Sequence, residues 1–379
     1  MTLRILAALS LLSAAAESSA IAQAPANAID TIVGRALRQF VAATPQAVGL
    51  SVGVYAHGAT YTDNYGTVER GSHRPATATT LFRIASITKT FTATLLAQAA
   101  IEHKVRLDDD VRKYLDGDYP NLAFQGHPIR LYDLVDHRSG LPFFLPDRPE
   151  TAPDDGRNVT PWATRVAGVL RNYRRQDFYA DLHQVRLTGV PGVTVQYSNA
   201  AAQLAGYILE RVYGKPYERL LKEKILKPLG MGSTTITLDN EQAARLATGY
   251  DSTGQVMPDV PDQIQAAGAV KSDVSDMLKY VQWEVEERDD AVKLSHIPRA
   301  TAGAYSADLN WQMWRSAGNR LVWQSGNFPG FRSLCAMMPE LQIGVVILAN
   351  ENDAASNAAQ DRMANEILEG LDAKAIPLP

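Results

Sequence analysis

The chain has almost no cysteine. Cys335 is the single one in 379 residues, so no internal disulfide can form in any redox compartment. It lies in an apolar run, residues 331–338, where a small core side chain is expected. An excess of positive charge is also missing: Lys and Arg number 37 against 41 Asp and Glu, and the net charge is −4 with signs mixed throughout. That removes the basic footprint nucleic-acid binding requires. The seven histidines show no His-Glu-x-x-His and no clustered ligand spacing, so no metal site is expected, and His137 and the others read as loop or surface residues. Repeats and low-complexity tracts are absent as well.

No apolar run is long enough for a stable membrane anchor. The one at residues 5–16, interrupted by two serines, is too short and wrongly flanked. With Arg4 before it and Ala20-Ile21-Ala22-Gln23-Ala24 after it, the segment reads as a secretory signal peptide over residues 1–24, cut near Ala22 or Ala24. A periplasmic or secreted protein of roughly 355 residues would remain. At 46% hydrophobic and 21% charged, it can bury a large core.

Periodicity then gives the architecture. Residues 27–43 carry Ile29, Val33, Leu37 and Phe40 at helical spacing. Residues 48–55 and 60–65 are β-rich runs separated by His57-Gly58, which suits a hairpin. Helical patterns dominate from Ser86 to about Tyr280, broken by loops at 145–161 and 251–261. Strands return at 309–315, 320–324, 331–338 and 343–349, and a last helix covers about 353–371. Strands at both ends with helices between predict an α/β (α+β) fold in which both chain ends build one antiparallel sheet, flanked by the terminal helices. The sheet lobe would hold about residues 25–85 and 300–379, and an inserted, mostly helical lobe about 86–299.

The stretch Arg83-Ile84-Ala85-Ser86-Ile87-Thr88-Lys89 reads as a nucleophile at the head of a buried helix. Residues three apart share a helix face, so Lys89 would stand beside the Ser86 hydroxyl. The free N–H groups of the first turn would face any negative charge developing there. A lysine kept neutral by burial can help remove the serine proton. Ser-x-x-Lys alone also fits a capping serine and a surface lysine, but the residues that follow are apolar and small nearly all round, as in a helix inside a domain. Gly49-Leu50-Ser51-Val52-Gly53 spells a nucleophile elbow, which needs a helix immediately after it; here a strand continues through Tyr55. Of two Tyr-x-Asn triplets, Tyr119-Pro120-Asn121 looks like turn chemistry, whereas Tyr197-Ser198-Asn199 leads into an apolar helix.

Taken in order, these segments resemble the serine β-lactamase and penicillin-recognising family, in its branch of class C β-lactamases, D-alanyl-D-alanine carboxypeptidases and related esterases. The resemblance covers nearly all of the mature chain. It rests on residues 82–89, on Asp133 through Pro142 with His137-Arg138-Ser139-Gly140, and on Pro191-Gly192 ahead of Tyr197-Ser198-Asn199. Pro228-Leu229-Gly230-Met231, Ala267-Gly268, Asp276-Met277, Ser325-Gly326 and Pro329-Gly330-Phe331 complete it. It implies that Ser86 is acylated, that Lys89 and Tyr197 share the acid and base work, and that Asn199 helps hold substrate and Lys89. A phenol near an ammonium would have its ionised form favoured.

The resemblance further implies substrate binding by the strand Gln324-Ser325-Gly326-Asn327, with the N–H of Asn327 pairing with that of Ser86 as an oxyanion hole. Gln324 departs from the pattern, where Lys or His stands. Carboxylate-bearing substrates are therefore expected to bind less well than uncharged esters, unless Arg332 restores the missing charge. The implied activity needs no cofactor, and the implied partner is a small molecule or short peptide: a β-lactam, a D-amino-acid peptide or a small ester. Two rivals stand beside it: a non-hydrolytic penicillin- or peptide-binding protein on the same fold, and an α/β-hydrolase using Ser51.

Overall fold

The computed structural model describes residues 26–152, 159–302 and 305–379. The expected signal peptide lies outside the described residues. Eight antiparallel strands form one sheet in the order Ala59–Gly66, Gly49–Ala56, Ile343–Ala349, Phe331–Met338, Asn319–Phe328, Trp311–Ser316, Tyr305–Asp308 and Ala300–Ala302. The two chain ends meet at its second and third strands, where Leu50 pairs with Ala349 and Ala56 with Ile343. The expected hairpin forms, its turn made by His57 and Gly58 at φ +50° and +89°.

Strand alternation sorts side chains to two cores. Leu50, Val52, Val54, Ile343, Val345 and Ile347 face the terminal helices Ala26–Ala43 and Ala354–Leu371, which lie together on one side of the sheet. Tyr55, Val346, Leu348 and Cys335 face the main core with the interior helices. Burial there pushes the Cys335 thiol pKa up, as suits a small core residue. The helix Val274–Glu286 packs so closely on the first strand that a Cβ at Gly53 would stand 2.8 Å from both Leu278 and Val274.

One expected strand divides. Leu309 and Asn310 have φ of +42° and +67°, so they form a turn between two strands and do not begin the strand read at 309–315. Alternation favours a strand there, but Leu309 N–H is captured by Asp136 Oδ1 at 2.9 Å and Asn310 N–H by Val135 O at 2.8 Å, contacts no local pattern reveals.

Candidate active site

Ser86 sits in a 3-10 turn, Ala85–Ile87, that runs directly into the helix Thr88–Ile101. The turn has an uncommon backbone: Ala85 is at φ +47°, and Ile84 at φ −89° and ψ 1°. Such states cost free energy and persist only where the surroundings enforce them. Here Ser333 Oγ donates to Ile84 O at 2.7 Å, and the strand Asn319–Phe328 presses against the turn at Gly326. A Cβ at Gly326 would lie 2.3 Å from Ile84 O and 2.4 Å from Ser333 Oγ, so only glycine lets the strand come this close.

Lys89 is fully buried, with Nζ 3.0 Å from Ser86 Oγ and donating to Ala267 O at 2.6 Å. Burial holds its pKa well below the ordinary lysine value, favouring the neutral amine. The helix carrying it is buried nearly all round, and its threonines satisfy their hydroxyls internally: Thr90 Oγ1 lies 2.8 Å from the Tyr280 hydroxyl, and Thr92 Oγ1 donates to Ala266 O at 2.6 Å.

The Tyr197 hydroxyl is 2.5 Å from Ser86 Oγ, and Lys89 Nζ is 4.8 Å from the centre of its ring. Tyr197 shows 37% of its surface to the cleft but turns its hydroxyl in on Ser86. Burial pushes its pKa up to about 12, with the Ser86 hydrogen bond acting the other way. This reverses the sequence expectation of a favoured phenolate. The enclosure that desolvates the phenol also favours loss of the lysine charge that would have stabilised the anion.

His137 lies in a loop, as expected, but it also touches the site: its ring packs against Tyr197 with centroids 4.3 Å apart, and Nδ1 accepts from Ser198 N–H at 3.3 Å. Burial, and secondarily the nearby Lys89, pushes its pKa down to about 3, so it is neutral at ordinary pH. Next in the chain, Ser198 caps the helix Asn199–Tyr213, accepting from Ala201 N–H at 2.9 Å and donating to Pro142 O at 2.6 Å. Asn199 thereby lines the cleft, although the expected hold on Lys89 is not made, because the partners of Nζ are Ser86 and Ala267.

The strand after residue 319 departs further from expectation. Asn327 lines the cleft, whereas Gln324 and Gly326 are buried and Ser325 is half-buried between them. Gln324 is 5% exposed; its Nε2 donates to Asn310 O at 2.5 Å and its Oε1 accepts from Ser325 N–H at 3.0 Å. Arg332 does not supply a substitute charge. It shares a sheet face with Leu334, Ala336 and Met338, and its guanidinium donates to Asp361 Oδ1 at 2.6 Å and to Asn357 O on the C-terminal helix. Ser51 is fully buried and donates to Asn64 Oδ1 at 2.7 Å, inside a strand that continues to Ala56. The first triplet lies at a 3-10 turn, Pro120–Leu122, as expected, and Asn121 Nδ2 donates across the fold to Leu182 O and Val185 O at 2.8 and 3.1 Å.

The cleft in front of Ser86 encloses about 260 Å³. Ser86, Tyr197, Asn199 and Asn327 are grouped at it, with the Ser86 hydroxyl in contact with a buried amine and a phenol. That arrangement can exchange protons with a serine attacking a carbonyl. With this geometry the beta-lactamase family model matches residues 35–369.

The chain belongs to the beta-lactamase family.

A beta-lactamase of Pseudomonas fluorescens is 27% identical over 366 residues, spanning 86% of this chain and 94% of the relative. The D-alanyl-D-alanine-carboxypeptidase/endopeptidase AmpH of Escherichia coli strain K12 is 26% identical over 311 residues, spanning 76% of each chain. A crystal structure of a beta-lactamase/D-alanine carboxypeptidase from Yersinia pestis, complexed with citrate, aligns with a TM-score of 0.76 at 25% identity, covering 91% of this chain and 99% of that one. The fold is that of these neighbours, and the protein is a serine hydrolase of the beta-lactamase family.

Within this family member, the residues that sequence reasoning missed are those of the cleft wall. Phe143, Phe144, Trp162, Val260, Ile264 and Phe328 line it from four separate segments. Phe143-Phe144 follows the landmark ending in Leu141-Pro142, which was a usable hint, but no periodicity tells which way two consecutive aromatics in a loop will point.

Proposed function

We propose that this beta-lactamase-family hydrolase forms and hydrolyses an acyl-enzyme on Ser86. The observation that carries this reading is the hydrogen-bonded set Tyr197 Oη, Ser86 Oγ, Lys89 Nζ and Ala267 O, spaced at 2.5, 3.0 and 2.6 Å. With Lys89 neutral, its N–H donates to Ala267 and its lone pair accepts from Ser86, while the protonated phenol donates to Ser86 Oγ. The serine proton passes to Nζ as the Oγ–carbon bond forms. Negative charge on the carbonyl oxygen is met by the N–H groups of Ser86 and Asn327. As the leaving-group bond breaks, Tyr197 gives its proton to the departing atom and recovers one from Lys89. Water then repeats the sequence on the ester carbonyl, with no cofactor required. Asn199 is assigned to substrate binding from its place on the cleft.

The Ala-x-Ala site supports export to the periplasm or beyond, with cleavage near Ala22 or Ala24. The division into a sheet lobe and a helical lobe puts Ser86 at their boundary.

Purified mature protein is to be incubated with a chromogenic cephalosporin, a fluorescent penicillin and p-nitrophenyl esters, with intact mass spectrometry of any adduct. An adduct that maps to Ser86 and turns over is expected, together with loss of both in Ser86→Ala and retention in Ser51→Ala. A permanent adduct would identify the binding-protein rival, and turnover by Ser86→Ala would end the assignment.

A further inference from the structure

We infer that the cleft selects substrates that are uncharged around the scissile bond and carry an apolar, single-ring acyl group, and that it rejects those with a carboxylate there. This inference rests on the acyl-enzyme reading and adds the substrate class.

The wall of the cleft is built as core. Phe143 and Phe144 meet edge to face at 4.9 Å, and Trp162 continues the aromatic surface 6.5 Å from Phe144. Val260 is 3% exposed and packs with Val166, Ala167 and Leu170 of the helix Val159–Leu170, and Trp162 and Phe328 pack against the same cluster. The wall therefore exists before substrate arrives, and an apolar ring entering it loses water without having to reorganise the site. A cleft of about 260 Å³ lies just below the usual range of roughly 300–1,000 Å³ for drug-sized ligands, which suits one ring and a short leaving group.

A carboxylate finds no cationic partner among the described residues of the lining, which include no lysine or arginine and offer only neutral donors such as Asn199 and Asn327. The nearby cations are committed elsewhere. Arg83, 4% exposed, pairs with Asp262 at 2.8 Å and with Asp259, and its guanidinium stacks 4.7 Å from the Phe328 ring. Lys271 is buried on Ile236 O at 2.7 Å and on Asp262. Arg332 is held by Asp361, and burial favours the neutral form of Lys89. A carboxylate drawn into an apolar wall without a counter-charge gives up its hydration for nothing. Penicillins, cephalosporins and peptides ending in D-alanine all carry a carboxylate close to the bond that breaks; neutral aryl and alkyl esters do not.

The test uses the mature protein and two substrate pairs, read as kcat/KM. The first pair is p-nitrophenyl phenylacetate and p-nitrophenyl acetate. The second is 3-carboxyphenyl phenylacetate, charged on the leaving-group side of the bond that breaks, against 3-(methoxycarbonyl)phenyl phenylacetate, neutral. Each ratio, corrected for spontaneous hydrolysis, is expected to favour the phenylacetyl and the neutral member by about tenfold or more. Phe143→Ala is expected to reduce the first ratio at least about threefold. Ile264→Lys, which places a cation on the wall, is expected to shift the second ratio toward the charged ester by about fivefold; if that variant does not fold, the wild-type ratio decides. A second ratio near one, or favouring the charged ester, overturns the inference while an adduct on Ser86 leaves the serine reading intact. Turnover that survives Ser86→Ala removes the reading beneath it instead.

Discussion

Gln324 gives its side-chain amide to the backbone carbonyl of Asn310, 2.5 Å away, and Asn310 in turn donates Nδ2 to the carbonyl of Lys89 at 3.0 Å. The residue that breaks the family pattern thus braces the helix that carries the proposed base. Its proposed effect on substrate choice is what it leaves out of the lining.

Gln324→Leu removes both bonds at once, leaving Asn310 O and Ser325 N–H without their partner. Leaving buried groups unsatisfied costs about 1–3 kcal/mol each at the outside, so a stability loss on the order of 2 kcal/mol is expected in denaturant unfolding. Gln324→Lys buries an ammonium against one carbonyl and is expected to lose at least as much, with no selective gain on a penicillin relative to a neutral ester. A selective gain of fivefold or more would mean that position 324 reaches substrate after all.

Gly326→Ala is expected to disable the enzyme through the nucleophile's backbone. The added methyl would sit 2.3 Å from Ile84 O and 3.0 Å from Ala85 Cβ, forcing the strand off the turn that holds Ser86. A shift of about 1 Å is enough to cost on the order of a hundredfold in rate. Steady-state kinetics on a neutral ester, with a thermal melt beside them, check this; wild-type turnover would show that the close approach is dispensable.

The pH profile of kcat/KM on a neutral ester separates the two candidate bases. Lys89 has its pKa lowered by burial, so activity is expected to rise from acid as that group deprotonates and to reach a plateau well before pH 10.5, the ordinary lysine value. Tyr197, pushed up to about 12, should leave the plateau flat through pH 10. A rate that keeps climbing around pH 10 would assign the base to the phenolate. Lys89→Ala and Tyr197→Phe should each lose at least about a hundredfold.

His137 adds an acid sensitivity. Its folded pKa, about 3, lies below the unfolded value of about 6.5, so between those values only the unfolded chain takes up the proton. Stability from this site is intact above about pH 6.5 and is lost as pH falls toward 3. His137→Asn is expected to flatten the decline of unfolding free energy between pH 6 and 4 by up to about one proton. Asp133 and Asp136, each raised to about 6 by burial, act in the opposite sense in both proteins, so the difference between them isolates His137. Identical slopes would place the ring in contact with solvent.

The sequence by itself determined what depends on neighbours along the chain. Helical spacing put Lys89 beside Ser86, alternation marked the strands 331–338 and 343–349, and the order of short landmarks was enough to indicate the family. A strand continuing past Ser51 disfavoured the rival nucleophile before any contact was known. Tertiary structure decided everything that depends on what comes from far away. Gln324 and Arg332 are close in sequence to the cleft residues Asn327 and Phe328, yet one turns to Asn310 and the other to Asp361, because hydrogen-bonding partners and the two faces of the sheet set those directions. Burial is likewise a property of the assembled core: it is what favours a neutral Lys89 and a protonated Tyr197, where an ammonium beside the phenol would have favoured its ionised form. The apolar wall follows the same logic, since Phe143, Trp162, Val260 and Phe328 become one surface only when four segments fold against each other.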